Sequence, residues 1–119
     1  MLKVSPELND RIYRHCRRVD IGEVKATSEH YRRRREINVR DVLHTLYLFA
    51  DPDFHVRVRK EDFFKKSGYG ESVVMAAFDV LSKAGLFLCD DCSGNWFVGM
   101  VREVDFYGEA IDGEAAEVL

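Results

Sequence analysis

Two groups of basic side chains carry the clearest chemistry in this chain. Arg32-Arg33-Arg34-Arg35 is the densest positive run, and Arg57, Arg59, Lys60, Lys65 and Lys66 form a second, looser group. Guanidinium and ammonium groups neutralise backbone phosphates. Such contacts give affinity with little sequence choice and a steep dependence on salt. Consecutive charges on a helix point all round it, so the arginine run cannot make one flat patch. It can surround a phosphate or a carboxylate cluster. The competing reading is a solvated face, with these cations paired to Glu29, Glu36, Glu61 and Asp62.

Other reactive residue types are scattered. Cys89-Asp-Asp-Cys92 has the spacing of one zinc knuckle, but a closed site needs two further ligands. Cys16, His15, His30, His44 and His55 form no second knuckle. A redox pair would be expected to open a helix, which lowers the thiol pKa; here an apolar strand precedes and a turn follows. There is no phosphate-binding glycine loop, no His-Glu-x-x-His and no nucleophile elbow. Asp90 and Asp91 lie in a turn, which suits neither acid–base work nor a preorganised metal site. The expectation is a protein that is not an enzyme and holds no cofactor or metal.

Composition bounds the rest. With 119 residues, 46% of them apolar and 33% charged, the chain reads as one folded domain. No apolar run approaches the roughly 20 residues that span a bilayer, and the opening Met-Leu-Lys-Val-Ser-Pro-Glu-Leu lacks a signal-peptide core. Three cysteines without an export signal point away from a disulfide framework and toward a reducing cytoplasm. The net charge of −3 is unevenly spread. Met1 to Lys66 holds 16 Lys and Arg against 11 Asp and Glu, a net of +5, whereas Ser67 to Leu119 holds 2 against 10, a net of −8. A basic surface for an anionic partner and an acidic one for something else would follow; so would mutual neutralisation across the fold.

The elements that must position these groups can be read from periodicity. Ser5 and Pro6 fit a helix start, and Leu8, Ile12, Cys16 and Val19 make an apolar stripe beside Arg11, Arg14 and Arg18. That helix stops near Ile21-Gly22. A polar helical segment runs from Thr27 through Arg35. Asn38, with Asp41 three residues on, reads as the cap of a further helix whose apolar face is Val39, Val42, Leu43, Leu46, Tyr47 and Phe49. Asp51-Pro52-Asp53 ends it. Phe54, Val56 and Val58 alternate with His55, Arg57 and Arg59, the period of a half-buried strand. Lys60 to Gly70 forms a short helix closed by a glycine turn. Glu71 to Leu86 holds a second helix stopped at Gly85. Leu86 to Cys89 and Trp96 to Val101 are strands around a polar turn.

This order of helix, tight turn, helix and hairpin resembles the winged helix-turn-helix superfamily over Asn38 to Val101. Phe63 and Phe64, the turn Ser67-Gly68-Tyr69-Gly70, the inward Val74, Ala77, Phe78 and Leu81, and the ending Ser82-Lys83-Ala84-Gly85-Leu86 carry the resemblance. It implies an α+β, mainly helical fold. A helical extension over residues 1–37 packs on a winged helix-turn-helix domain over 38–106 with a C-terminal β-hairpin wing, and an acidic tail covers 107–119. Trp96 is expected to anchor a wing strand rather than stack on a base, although a wing aromatic can do either.

The favoured function is a small DNA-associated regulator of transcription that holds double-stranded DNA through its phosphate backbone. It would be dimeric by superfamily habit. Arg32, Arg33, Arg34, Arg35, Arg57, Arg59, Lys60, Lys65 and Lys66 are the backbone candidates. Ser72, Met75, Ala76 and Lys83, on the outer face of the helix before the hairpin, are second-rank. That face lacks the Arg, Lys, Asn or Gln with which major-groove readers pair bases, and Asp79 and Glu71 would meet phosphates. The alternative is therefore a protein-interaction module, an adaptor or inhibitor, docking through that helix and the acidic hairpin and tail without DNA.

Overall fold

The computed structural model describes residues 4–107. They form an α+β unit of four helices and a three-stranded antiparallel sheet. Helix α1, Pro6–Arg18, starts where the Leu8 N–H donates to Ser5 Oγ at 3.1 Å, with Pro6 in the first turn. Ile12 and Cys16 are buried, and Leu8 and Val19 pack against the same core.

Helix α2, Glu29–Phe49, departs from the expectation of two segments. Its cap is Ser28, whose Oγ accepts from the Tyr31 N–H at 3.3 Å. Asn38 lies inside the helix and caps nothing, and Asp41 is in its middle rather than its first turn. The reason is continuity. No glycine or proline interrupts residues 29–49, and Glu29, Arg32 and Glu36 form i,i+3 and i,i+4 pairs that sustain the helix through the polar stretch. The expected boundary at residue 38 therefore falls within one rigid rod.

Beyond α2, Asp51 Oδ1 accepts from the backbone N–H groups of Asp53 and His55, which turns the chain into strand β1, His55–Arg59. Phe54, at φ 64°, occupies the left-handed region in this turn. Helix α3, Lys60–Ser67, ends at Gly68, whose φ of 80° a side chain would resist. Helix α4, Glu71–Lys83, buries Val74, Ala77, Phe78 and Leu81, as its spacing predicts. Strands β2, Phe87–Asp91, and β3, Trp96–Val101, complete a sheet of order β1-β3-β2. The first of these runs two residues past Cys89, through a register shift between Cys89 and Asp91.

The core lies between the inner face of this sheet and the helices. Phe63, Phe78 and Phe97 meet edge to face, with centroids 5.8, 5.4 and 4.8 Å apart in the pairs 63–78, 63–97 and 78–97. Gly99 permits the closest approach: a Cβ there would sit 2.3 Å from the Leu88 carbonyl oxygen and 2.8 Å from the Phe87 ring. The cysteines differ from expectation in one respect. Cys89 and Cys92 are joined by a local disulfide across the hairpin turn, and Cys16 is free and buried. Among the described residues no helix is long and apolar enough to cross a membrane. Most of the expected acidic tail lies outside the described residues.

Candidate nucleic-acid interface

Strand alternation builds the site. In β3, Phe97, Gly99 and Val101 point into the core, and Trp96, Val98 and Met100 point outward. His55, Arg57 and Arg59 point outward from β1. The antiparallel register sets Arg59 opposite Trp96 and Arg57 opposite Val98. Trp96 thus shares a face with both arginines. The Arg57 guanidinium lies 4.2 Å from the centre of the indole and that of Arg59 5.5 Å, within cation–π range.

A second wall comes from α3. Lys65 and Lys66 lie in its last turn, where cations suit the negative end of the helix dipole, and Glu61 and Asp62 lie in its first. Arg57, Arg59, Lys65, Lys66 and Trp96 line one open cavity of about 580 Å³, with Phe49, Val58 and Asp62. Lys60 extends from the same corner, its Nζ 5.2 Å from the centre of the Phe97 ring and its backbone N–H donating to the Asn95 carbonyl at 2.9 Å. Among the described residues no carboxylate forms an ion pair with Arg57, Lys65 or Lys66. Hydrogen bonds from Ser93, with the Lys60 charge adding to them, lower the pKa of Asp91, and Arg59 meets Glu61 at 3.9 Å, both exposed.

The position of α3 is held by a polar junction. The Tyr69 hydroxyl donates to Asp41 Oδ2 at 2.6 Å, and Arg17 engages Asp41 Oδ1. The α3–α4 turn is thereby tied to α2, and α1 to both. Burial and the hydrogen bond to Asp41 push the Tyr69 phenol up to about 12. Nearby, burial and the Arg17 charge lower the pKa of His44, whose Nε2 is 2.8 Å from Asn9 Oδ1. Cys16, beneath this junction, is pushed up to about 12 by burial. The Tyr47 hydroxyl donates to the Arg102 carbonyl at 2.7 Å and is raised by the same cause.

The arginine run is placed and paired differently. Arg32 lies between Glu29 and Glu36, and Arg33 reaches Glu29 at 3.2 Å. The hydrogen bond from Arg32 holds the Glu29 carboxyl below its ordinary value. Arg35 donates to the Lys25 carbonyl at 2.7 Å. Arg34 is exposed and pairs with no carboxylate among the described residues. Arg34 and Phe49 are 15 residues apart on α2, roughly 22 Å along the helix axis. The run and the Trp96 cavity therefore sit toward opposite ends of α2.

Helix α4 shows Ser72, Met75, Ala76, Asp79 and Lys83 to solvent, and Val73 and Val80 lie half-buried at the border. Ser72, Ala76 and Lys83 line a groove of about 810 Å³ between α4, α2 and the segment Ile21 to Lys25; Met75 is outside it. Lys83 pairs with Asp79 at 3.0 Å. The cavity at Trp96 thus gathers four of the sequence-derived candidates, Arg57, Arg59, Lys65 and Lys66, with Lys60 beside it, and three of the α4 group lie on a separate groove. The sequence places Phe49 on a helix face and Asp62 among the partners of the cations, and it favours an anchoring role for Trp96 over base stacking. The outward alternation of Trp96 with Val98 and Met100 was the signal that could have placed it beside the arginines. Comparisons with protein-family models, curated proteins and solved structures found no match to this chain.

Proposed function

We propose that the chain is a nucleic-acid-binding domain of winged-helix type, holding the phosphate backbone with the cations around Trp96. The single observation that carries this reading is that Arg57, Lys65 and Lys66 line one cavity, with Lys60 beside it, and that among the described residues none of the first three forms an ion pair, although Asp62 lines the same cavity. Like charges held together in the free protein raise its energy unless something neutralises them, and a polyanion does so while releasing its own counterions. The order of α2, β1, α3, α4 and the β2–β3 hairpin is compatible with a winged helix, in which the hairpin is the wing and α4 the helix before it. On this reading α4 is a poor reader of bases: its outer face offers one lysine, already paired to Asp79. Affinity then comes with weak sequence choice, as suits a DNA-associated regulator.

The test is fluorescence polarisation with labelled random-sequence DNA, duplex and single-stranded, at about 50 and 200 mM salt, a range over which phosphate contacts weaken markedly. Binding that falls steeply with salt, and falls again in an Arg57→Ala/Arg59→Ala variant, is the expected result. No binding to either form at the lower salt refutes the proposal and leaves a protein-interaction module docking through α4 as the reading to pursue.

A further inference from the structure

We infer that the cavity at Trp96 takes an unpaired base, so that the preferred ligand is single-stranded nucleic acid. This inference rests on the phosphate-binding reading above and adds the class of nucleic acid. A cluster made only for phosphates needs cations and no aromatic ring. Here the half-exposed indole stands in the middle of the cluster, on the outer face of the sheet. It contributes nothing to the Phe63–Phe78–Phe97 core, which faces the other way. Its environment is cationic, with Arg57 and Arg59 on its own face and Lys65 and Lys66 across the cavity.

Bases stack on aromatic rings and on guanidinium planes alike. The Arg57 guanidinium lies over the indole at 4.2 Å from its centre, so a base would stack on the guanidinium plane or take its place on the ring, and Phe49 adds an apolar contact at the cavity wall. The two lysines lie where the phosphates flanking a stacked nucleotide would need neutralising. A volume of about 580 Å³ suits a small-ligand pocket. In a duplex the base faces are hidden in the stack, so the ring could meet only an edge or a backbone; in a single strand the faces are free. Stacking platforms within a basic groove are the general solution for single strands, and they tolerate any sequence because every base has a π-face.

The chain contains one tryptophan, so its fluorescence reports this cavity alone. The experiment titrates the intact protein with a thymidine oligonucleotide, its uridine ribo-counterpart, a mixed-sequence duplex of equal length and free thymidine monophosphate, all at low salt. The expected result is quenching of Trp96 by both single strands with an affinity at least about tenfold above that for the duplex, the scale on which loss of one stacked base is felt. Trp96→Ala should weaken single-strand binding by about tenfold or more, with Trp96→Phe recovering most of it; thermal melts of both variants verify folding. Duplex binding as tight as single-strand binding, with unchanged fluorescence, overturns the inference and leaves phosphate binding standing. Equal affinity for the mononucleotide and the oligonucleotide also overturns it, since the flanking cations would then contribute nothing. Binding of no nucleic acid overturns both this inference and the reading beneath it. The wild-type quenching arm needs no variant, so the outcome survives a substitution that fails to fold.

Discussion

Replacing Lys65 and Lys66 together by Ala should lower the salt dependence of binding, and replacing Arg32 and Arg33 should not. Both pairs are exposed and cationic, and both changes remove the same formal charge. The structure separates them by what surrounds them. Lys65 and Lys66 have no carboxylate partner among the described residues, and they share a cavity with Arg57 and Arg59. Arg32 and Arg33 are held by Glu29, with Glu36 adding to Arg32. A cation already neutralised by its own helix displaces few counterions when a phosphate arrives.

The size of the effect follows from counting contacts. Each phosphate neutralised adds about 0.9 to the logarithmic salt slope on duplex and about 0.7 on a single strand. If Arg57, Arg59, Lys60, Lys65 and Lys66 each meet one phosphate, the slopes are about −4.5 and −3.5. Raising salt from about 50 to 200 mM then weakens binding by roughly 500-fold on duplex and 130-fold on a single strand. Without the two lysines the slopes become about −2.7 and −2.1, and the same step costs only roughly 40-fold and 20-fold. Polarisation titrations at four or five salt concentrations resolve this difference. An unchanged slope in Lys65→Ala/Lys66→Ala, or an equal fall in Arg32→Ala/Arg33→Ala, would refute the assignment of the site to the Trp96 corner.

Three further predictions concern the scaffold. Gly99→Ala drives a methyl group into the Leu88 carbonyl and the Phe87 ring; it should cost about 3 kcal/mol, the upper range of overpacking, seen as a large fall in Tm. Tyr69→Phe removes a hydrogen bond to the Asp41 carboxylate and should cost about 1.5–3 kcal/mol. Because the folded phenol ionises near 12 rather than at its ordinary value of 10.0, the stability it adds is full below pH 10 and is lost as pH rises toward 12; urea melts from pH 8 to 12 should show a shallower alkaline decline in Tyr69→Phe than in wild type. Reducing Cys89–Cys92 opens a loop of sequence separation 3, worth about 2 kcal/mol by chain entropy. Thiol titration of the unfolded, unreduced protein should give one thiol, that of Cys16, and three after reduction.

Much of the fold was legible because hydrophobic spacing and glycine placement are local signals. The inward set Val74, Ala77, Phe78 and Leu81 and the stops at Gly68 and Gly85 needed only helical period and left-handed turns. The alternation from Phe54 to Arg59 gave β1 in the same way. The break at Asn38 failed because capping preference is a local hint that a continuous helix overrides. Asn38 is a good cap residue, but the i,i+4 pairs upstream and the buried Val39 and Val42 downstream keep the rod intact. Long-range pairings left no local trace. Nothing near Asp41 in sequence indicates that Arg17 and Tyr69 will meet it, and register alone decides that Trp96 faces Arg59. The Cys89–Cys92 disulfide was missed for another reason: counting cysteines speaks to a framework of bridges, whereas two cysteines three residues apart can close locally on a hairpin turn.

The separation of the two charged regions makes the functional question decidable. Had the arginine run and the Trp96 corner formed one patch, loss of binding from any basic substitution would have been ambiguous. As it is, Arg34 and Phe49 lie roughly 22 Å apart along the α2 axis, and the groove along α4 falls nearer the run, since Arg35 and Lys25 line it and the Trp96 cavity shares none of its residues. A polyanion held at the Trp96 corner should therefore leave the α4 groove open. An Ala76→Arg substitution places a bulky cation in that groove without touching the corner. If nucleic acid is held as proposed, Ala76→Arg should bind as wild type does, within about twofold in Kd (about 0.4 kcal/mol). A tenfold loss would move the interface onto α4, and the hairpin corner would then be a bystander.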